Sequence, residues 1–210
     1  MTMWNEAVEI LREAMFAYAH GTNGNLATGI LLVTFLARLA LFPLMLRLAR
    51  ASALHQARVR AIQPELDAIK VRFKNEPMRA AEETRAVFTR EGIPMFPLAA
   101  LLGGLAPAPV LLALYSAVRQ CAAAGGRFLW VADISRPDRL LAVIVSAVAV
   151  GAAALAPQPT GQNRTLMALL PAVITMVVLW KMAAGVGLYW GVSSAVGGVQ
   201  ALMTRRGSRA

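Results

Sequence analysis

The chain has 210 residues, of which 58% are hydrophobic and 15% charged, with a mean hydropathy of +0.57. A water-soluble domain holds roughly 45–50% apolar and about 25% charged residues, so a soluble core is excluded and lipid is the expected solvent. The formal charge of +10 reads first as membrane topology rather than nucleic-acid binding, and no sequence-specific nucleic-acid partner is expected. With Cys121 as the one cysteine and only His20 and His55 as histidines, the chain lacks the makings of an intrachain disulfide or a metal site, and no cofactor is expected.

In chain order, residues 1–25 form a short amphipathic tail, with Glu6, Glu9 and Glu13 against Arg12 and a breaker-rich end. The tail lacks the basic start and early apolar run of a signal peptide, so cleavage is not expected. Crossing the ~30 Å hydrocarbon layer takes about 20 apolar residues in a helix. Five stretches qualify: 26–46, 98–118, 140–156, 165–183 and 186–203. The last two are nearly continuous and turn at Ala183-Ala184-Gly185. Between the first two spans, residues 47–92 hold ten Lys+Arg against six Asp+Glu. Within them Val59, Ile62, Leu66, Ile69 and Phe73 recur at helical spacing. Asn75-Glu76-Pro77 then breaks the pattern before a second helical arm over 78–91. This is a helical hairpin, its seam expected to pack arm against arm, with a kink or fresh turn at Pro64.

Basic residues collect on the cytoplasmic side of membrane proteins. The hairpin and the tail 204–210, with Arg205, Arg206 and Arg209, are therefore placed inside, and the acidic N-terminus outside. The loop 119–139 then lies outside despite four arginines against two aspartates. Trp4, Trp130, Trp180 and Trp190 are expected near that outer boundary, and Cys121 at the outer end of the second span. The class is an all-α polytopic protein of the plasma membrane.

Arg38 is the most informative residue. A span ending before it would keep only 26–37, about 18 Å of helix, too short to cross. Arg38 therefore lies inside the span, where an arginine costs about 2.5–3.5 kcal/mol on insertion scales. None of the five spans contains an Asp or Glu to pair with it. Water in a cavity, backbone carbonyls, an arriving ligand, or lipid phosphate reached by local thinning remain as ways to keep the charge. Side chains that would wet a cavity are Thr34, on the same helical face, Ser116, Ser146, Thr175, Tyr189, Ser193, Ser194 and Gln200. Gly185, Gly187, Gly191, Gly197 and Gly198 read as close helix packing. Gly191-Val192-Ser193-Ser194 has a faint likeness to a rhomboid-protease serine motif, but both histidines lie outside the spans and a serine nucleophile needs a base. Catalysis is rejected.

The run TFLARLALFPLMLRLARASALHQARVRAIQPELDAIKVRF resembles the first core span and cytoplasmic hairpin of the YidC/Oxa family of membrane protein insertases, matching at Arg38, Pro43 and Gln63-Pro64. FTREGIP, PVLLALYSAVR, FLWVADISRPD and MAAGVGLYWGVSSAVGGVQ are similar to later parts of that family in the same order, so the likeness covers about 25–206. Ile93-Pro94 stands where the family usually has Asn-Pro, the second span lacks a glutamine near Pro107, and Met182-Ala183 replaces Phe-Pro. These departures imply a less polar cavity. The resemblance implies five helices around a hydrophilic groove that is open to cytoplasm and lipid. Arg38 would receive acidic residues of a substrate tail there, with Thr34, Ser116, Thr175, Tyr189, Ser193 and Gln200 lining the groove. Arg58, Arg60, Lys70, Arg72 and Lys74 would form a cytoplasmic receiving face for nascent chains, a ribosome or a targeting factor, with a Sec-type translocon as a further partner. Rival readings are a small anion-binding transporter or channel subunit, and a structural assembly factor.

Overall fold

The structure, a computed structural model, describes residues 2–21, 25–95, 108–156 and 164–207. Among them the elements are seven helices: α1 (Thr2–Gly21), α2 (Leu26–Arg72), α3 (Pro77–Arg90), α4 (Ala108–Ala123), α5 (Arg139–Leu155), α6 (Arg164–Leu179) and α7 (Ala184–Gly207). By length and composition α2 alone passes as a long apolar membrane helix; α4, α5 and the Leu169–Leu179 part of α6 are shorter apolar helices. Exposed side chains such as Leu36 on α2, Ile144 on α5 and Val177 on α6 face outward without charged neighbours along those stretches. That is the arrangement of a surface solvated by lipid.

The first span and the first hairpin arm are one helix. The residue step at 46/47, expected as a border, has no counterpart in the backbone. A helix satisfies its own hydrogen bonds, so a change of solvent at the membrane surface need not interrupt it. At 47 residues, α2 is about 70 Å long at 1.5 Å per residue, far more than a bilayer core requires. Asn25 starts it, its Oδ1 accepting from the Ala27 N–H at 3.2 Å. The helix runs through Pro43 and also Pro64, so the fresh turn expected there is absent. After the break at Phe73–Glu76, α3 opens on Pro77, whose missing N–H costs nothing in a first turn. It closes on Gly92 at φ 61°, with the Ile93 N–H reaching the Phe88 carbonyl at 2.9 Å. Ile62, Leu66 and Ile69 pack with Val87 and Ile93, so the seam joins the two arms.

Residues 2–21 are more than a tail. The α1 helix buries Val8, Met15 and Ala19 against the bundle. Its approach to α2 is so close that a Cβ on Gly29 would collide with the Met15 carbonyl oxygen. The part of the second span over 98–107 lies outside the described residues, and the helix continues past 118 to Ala123. Cys121, two residues before that end, is fully buried.

Small residues on α7 set its packing. Gly187, Gly191 and Gly198 face Leu141, Val145 and Ala152 of α5, and Gly185 faces Ala122 of α4. Gly197 differs: a Cβ there meets open space, so it does not serve the close packing expected of it. The core of Met15, Ile30, Leu114, Val118, Ile134 and Val186 occupies the end of the bundle away from the hairpin. The loop 124–138 closes that end. Its Ile134 and Arg136 carbonyls accept from the Gly185 and Ala184 N–H groups, both at 2.9 Å, satisfying donors that the start of α7 would otherwise leave open. Asp138 caps α5 through the Leu141 N–H at 2.7 Å.

Candidate functional site

Below this packed end the helices part around Arg38. A cavity of about 660 Å³ is lined by Arg38 of α2, Leu111, Leu112 and Tyr115 of α4, Val178 of α6, Met182 in the turn that follows it, and Tyr189, Trp190 and Ser193 of α7. The α4 residues follow helical spacing, with Ala108 one turn before Leu112, and thus form one wall. Among the described residues α4 and α6 do not touch, although both line the cavity.

Arg38 is half-buried, and its Nε donates to the Ser193 Oγ at 3.1 Å. Tyr189 stands beside it on the cavity wall. Its hydroxyl donates to the Leu111 carbonyl at 3.4 Å, tying α7 to α4 across the cavity, and its ring meets Tyr115 at a tilt of 58°, with 6.3 Å between centroids. Among the described residues no carboxylate pairs with Arg38. The guanidinium has five N–H donors, and a bond from Nε to Ser193 leaves its forked Nη end for a guest. Such a fork favours carboxylates and other planar acceptors.

The other polar positions are distributed differently. Thr34 is fully buried one turn before Arg38, and its Oγ1 has no hydrogen-bond partner among the described residues. Ser116 and Thr175 donate to the carbonyls four residues before them, Leu112 and Pro171. Ser146 donates to the Met176 sulfur at 3.7 Å. Gln200 reaches the Met45 carbonyl at 3.0 Å and fastens α7 to α2. Thr34, Ser116, Thr175 and Gln200 are not on the wall of the Arg38 cavity. Trp190, expected at the outer boundary, instead stands six residues inside α7 on that wall. Tyr115 and Trp190 are the cavity residues that polarity alone overlooks; the 108-111-112-115 spacing was the available signal for the first.

On the hairpin, Arg58, Arg60, Arg72 and Lys74 are exposed, while Lys70 pairs with Asp67 at 3.1 Å and Arg72 lies over the Phe73 ring. Arg90 joins the arms through Glu65 at 2.6 Å, and its bonds to Glu65 and Glu91 raise its pKa. The pair is exposed, so it contributes little to stability.

The family model described as "60Kd inner membrane protein" matches residues 18–210. The chain belongs to that family. It is 28% identical over 193 residues to a membrane protein insertase YidC of Clostridium tetani, covering 88% of this chain and 84% of that one. A membrane protein insertase YidC 1 of Streptococcus pyogenes serotype M6 is 29% identical over 210 residues, covering 95% of this chain and 73% of the relative. The YidC of Cellvibrio japonicus is 31% identical over 84% of this chain but is much longer, with 32% of it covered. The family places the chain in the inner, plasma membrane.

Proposed function

We propose that this family member is a membrane protein insertase in which Arg38 receives the polar tail of a short-tailed membrane protein. Its relatives carry the insertase name over most of this chain's length. The single observation that carries the site is a guanidinium, unpaired by any carboxylate among the described residues, on the wall of a cavity shared by α2, α4, α6 and α7. In this reading five spans surround the cavity, water fills it, the N-terminus lies outside and the hairpin inside. A hydrated cavity shortens the hydrocarbon path of a polar tail, where each unsatisfied backbone group costs several kcal/mol. The fork of Arg38 attracts acidic side chains of that tail more strongly than it would in bulk water. The apolar segment leaves sideways between α4 and α6, and its burial in lipid drives the reaction, so no catalytic step and no cofactor is required. The loop that closes the far end supports this reading over a transporter open to each side in turn. Exposed Arg58 and Lys74 belong to a salt-sensitive basic surface for a nascent chain, a ribosome or a targeting factor.

The test is site-specific photo-crosslinking in membranes. A crosslinker at Tyr115 or Trp190 should capture a stalled single-span substrate, whereas one at Val143, exposed on α5, should not. Equal capture at Val143, or none at the cavity positions, would sink the proposal.

A further inference from the structure

The loop that closes the far end of the bundle carries an unusual tip. Phe128 and Val131 exchange two hydrogen bonds, of 2.9 and 2.7 Å, so Leu129 and Trp130 form a two-residue turn. Leu129 sits at φ 49°, a left-handed conformation that a leucine side chain rarely adopts. Its side chain is nevertheless 77% exposed, and Trp130 beside it is 48% exposed. The base of the turn is packed and hydrogen-bonded. Val131 and Ile134 are buried, and the Ile134 N–H donates to the Gly126 carbonyl at 2.8 Å. In water such a tip gains nothing from either its backbone or its apolar surface, and strain of this kind persists where it serves a purpose.

We infer that Leu129 and Trp130 are a wedge that enters the phospholipid leaflet on the side away from the hairpin and thereby sets the depth of the Arg38 cavity. This rests on the membrane-spanning reading but not on insertase activity. Tryptophan favours the headgroup boundary, and leucine the acyl chains just below it. Charge agrees. Asp133 is engaged by Ser135 and Arg136, and Asp138 by the Leu141 N–H. Exposed Arg119 and Arg127 are left facing outward, a complement to lipid phosphates. The same loop holds the first N–H groups of α7, so the tip is tied to the helix that bears Ser193. From Ala184 to Ser193 is nine residues, about 14 Å of helix. With the tip at one boundary of a ~30 Å hydrocarbon layer, Arg38 sits near the middle.

The test uses the full chain with Trp4→Phe, Trp180→Phe and Trp190→Phe, so that Trp130 is the sole indole. It is reconstituted in nanodiscs of phosphatidylglycerol and phosphatidylethanolamine carrying bromines near the headgroup. Brominated lipid should remove most Trp130 emission, and aqueous acrylamide little of it. Leu129→Gly suits the observed φ, so its melting temperature in detergent should equal or exceed that of the parent. In nanodiscs the same variant should shift Trp130 from lipid quenching to acrylamide quenching. The difference between the unaltered chain and Trp130→Phe supplies the same readout if the triple variant misfolds. Trp130 open to acrylamide and indifferent to brominated lipid overturns the proposal, as does Leu129→Gly leaving lipid quenching unchanged.

Discussion

The Nε of Arg38 on α2 donates to the Ser193 Oγ on α7 across 155 positions of sequence, at 3.1 Å. This one bond aims a charge that the apolar span could not hold unaided. It fixes the inner edge of the guanidinium and leaves its forked end for the cavity. The most basic side chain of the first span and a hydroxyl of the last thus act as a unit.

Substitution at Arg38 should separate substrates by charge. Arg38→Ala is expected to impair insertion of acidic-tailed substrates most and neutral-tailed ones least, while Arg38→Lys keeps much of the activity without bidentate geometry. Ser193→Ala should reduce acidic-tail insertion about fivefold, for a lost hydrogen bond of about 1 kcal/mol. Insertion assays in reconstituted vesicles with a graded series of tails measure both. Equal insertion of acidic and neutral tails by all three variants would make the arginine structural.

Glycine positions on two helices should behave oppositely. Gly29→Ala drives a methyl into the Met15 carbonyl of α1 and is expected to destabilise the bundle by about 1–3 kcal/mol. Gly197→Ala meets open space and should stay within about 0.5 kcal/mol of the parent. Thermal unfolding in detergent compares them, and a neutral Gly29→Ala would refute the close approach of α1.

The hairpin should open without loss of the bundle. Leu66→Ala removes a buried contact between its arms and is expected to cost the hairpin about 2 kcal/mol or more. Arg90→Gln removes only the exposed link to Glu65 and should leave the arms closed. Limited proteolysis over 47–92 reads this out, with Leu66→Ala cut faster and Arg90→Gln cut at the parental rate.

Acidification should loosen the far-end loop. Asp133 accepts from the Ser135 hydroxyl at 2.7 Å and its N–H at 2.9 Å, which holds its pKa below the usual carboxylate range. A group depressed in the folded state contributes above its unfolded pKa, near 3.9 for Asp, and that contribution fades as pH falls through the lower folded value. Amide exchange at Ser135 should therefore accelerate, relative to neighbouring loop amides, below about pH 4. Asp133→Asn should remove this step, and a step that persists would assign it to another group.

Composition and periodicity alone determined the lipid solvent, the helical class, the hairpin with its seam and the singular status of Arg38. These follow from local rules: apolar run length, helical repeat, and the cost of a charge in hydrocarbon. Polarity also singled out Ser193, whose hydroxyl accepts from the Arg38 Nε, and Tyr189, which shares the cavity wall with it. Tertiary structure decided what no local rule contains. Tyr115 and Trp190 join the cavity because α4 and α7 turn those faces toward it, whereas Ser116, one residue on, donates to its own helix. The core role of α1 comes from Gly29 admitting its backbone, and the exposed strain of Leu129 from the loop that caps α7. Each depends on the relative rotation of packed helices. A shift of one residue turns a helix by about 100°, and only the partner surface selects which face looks inward.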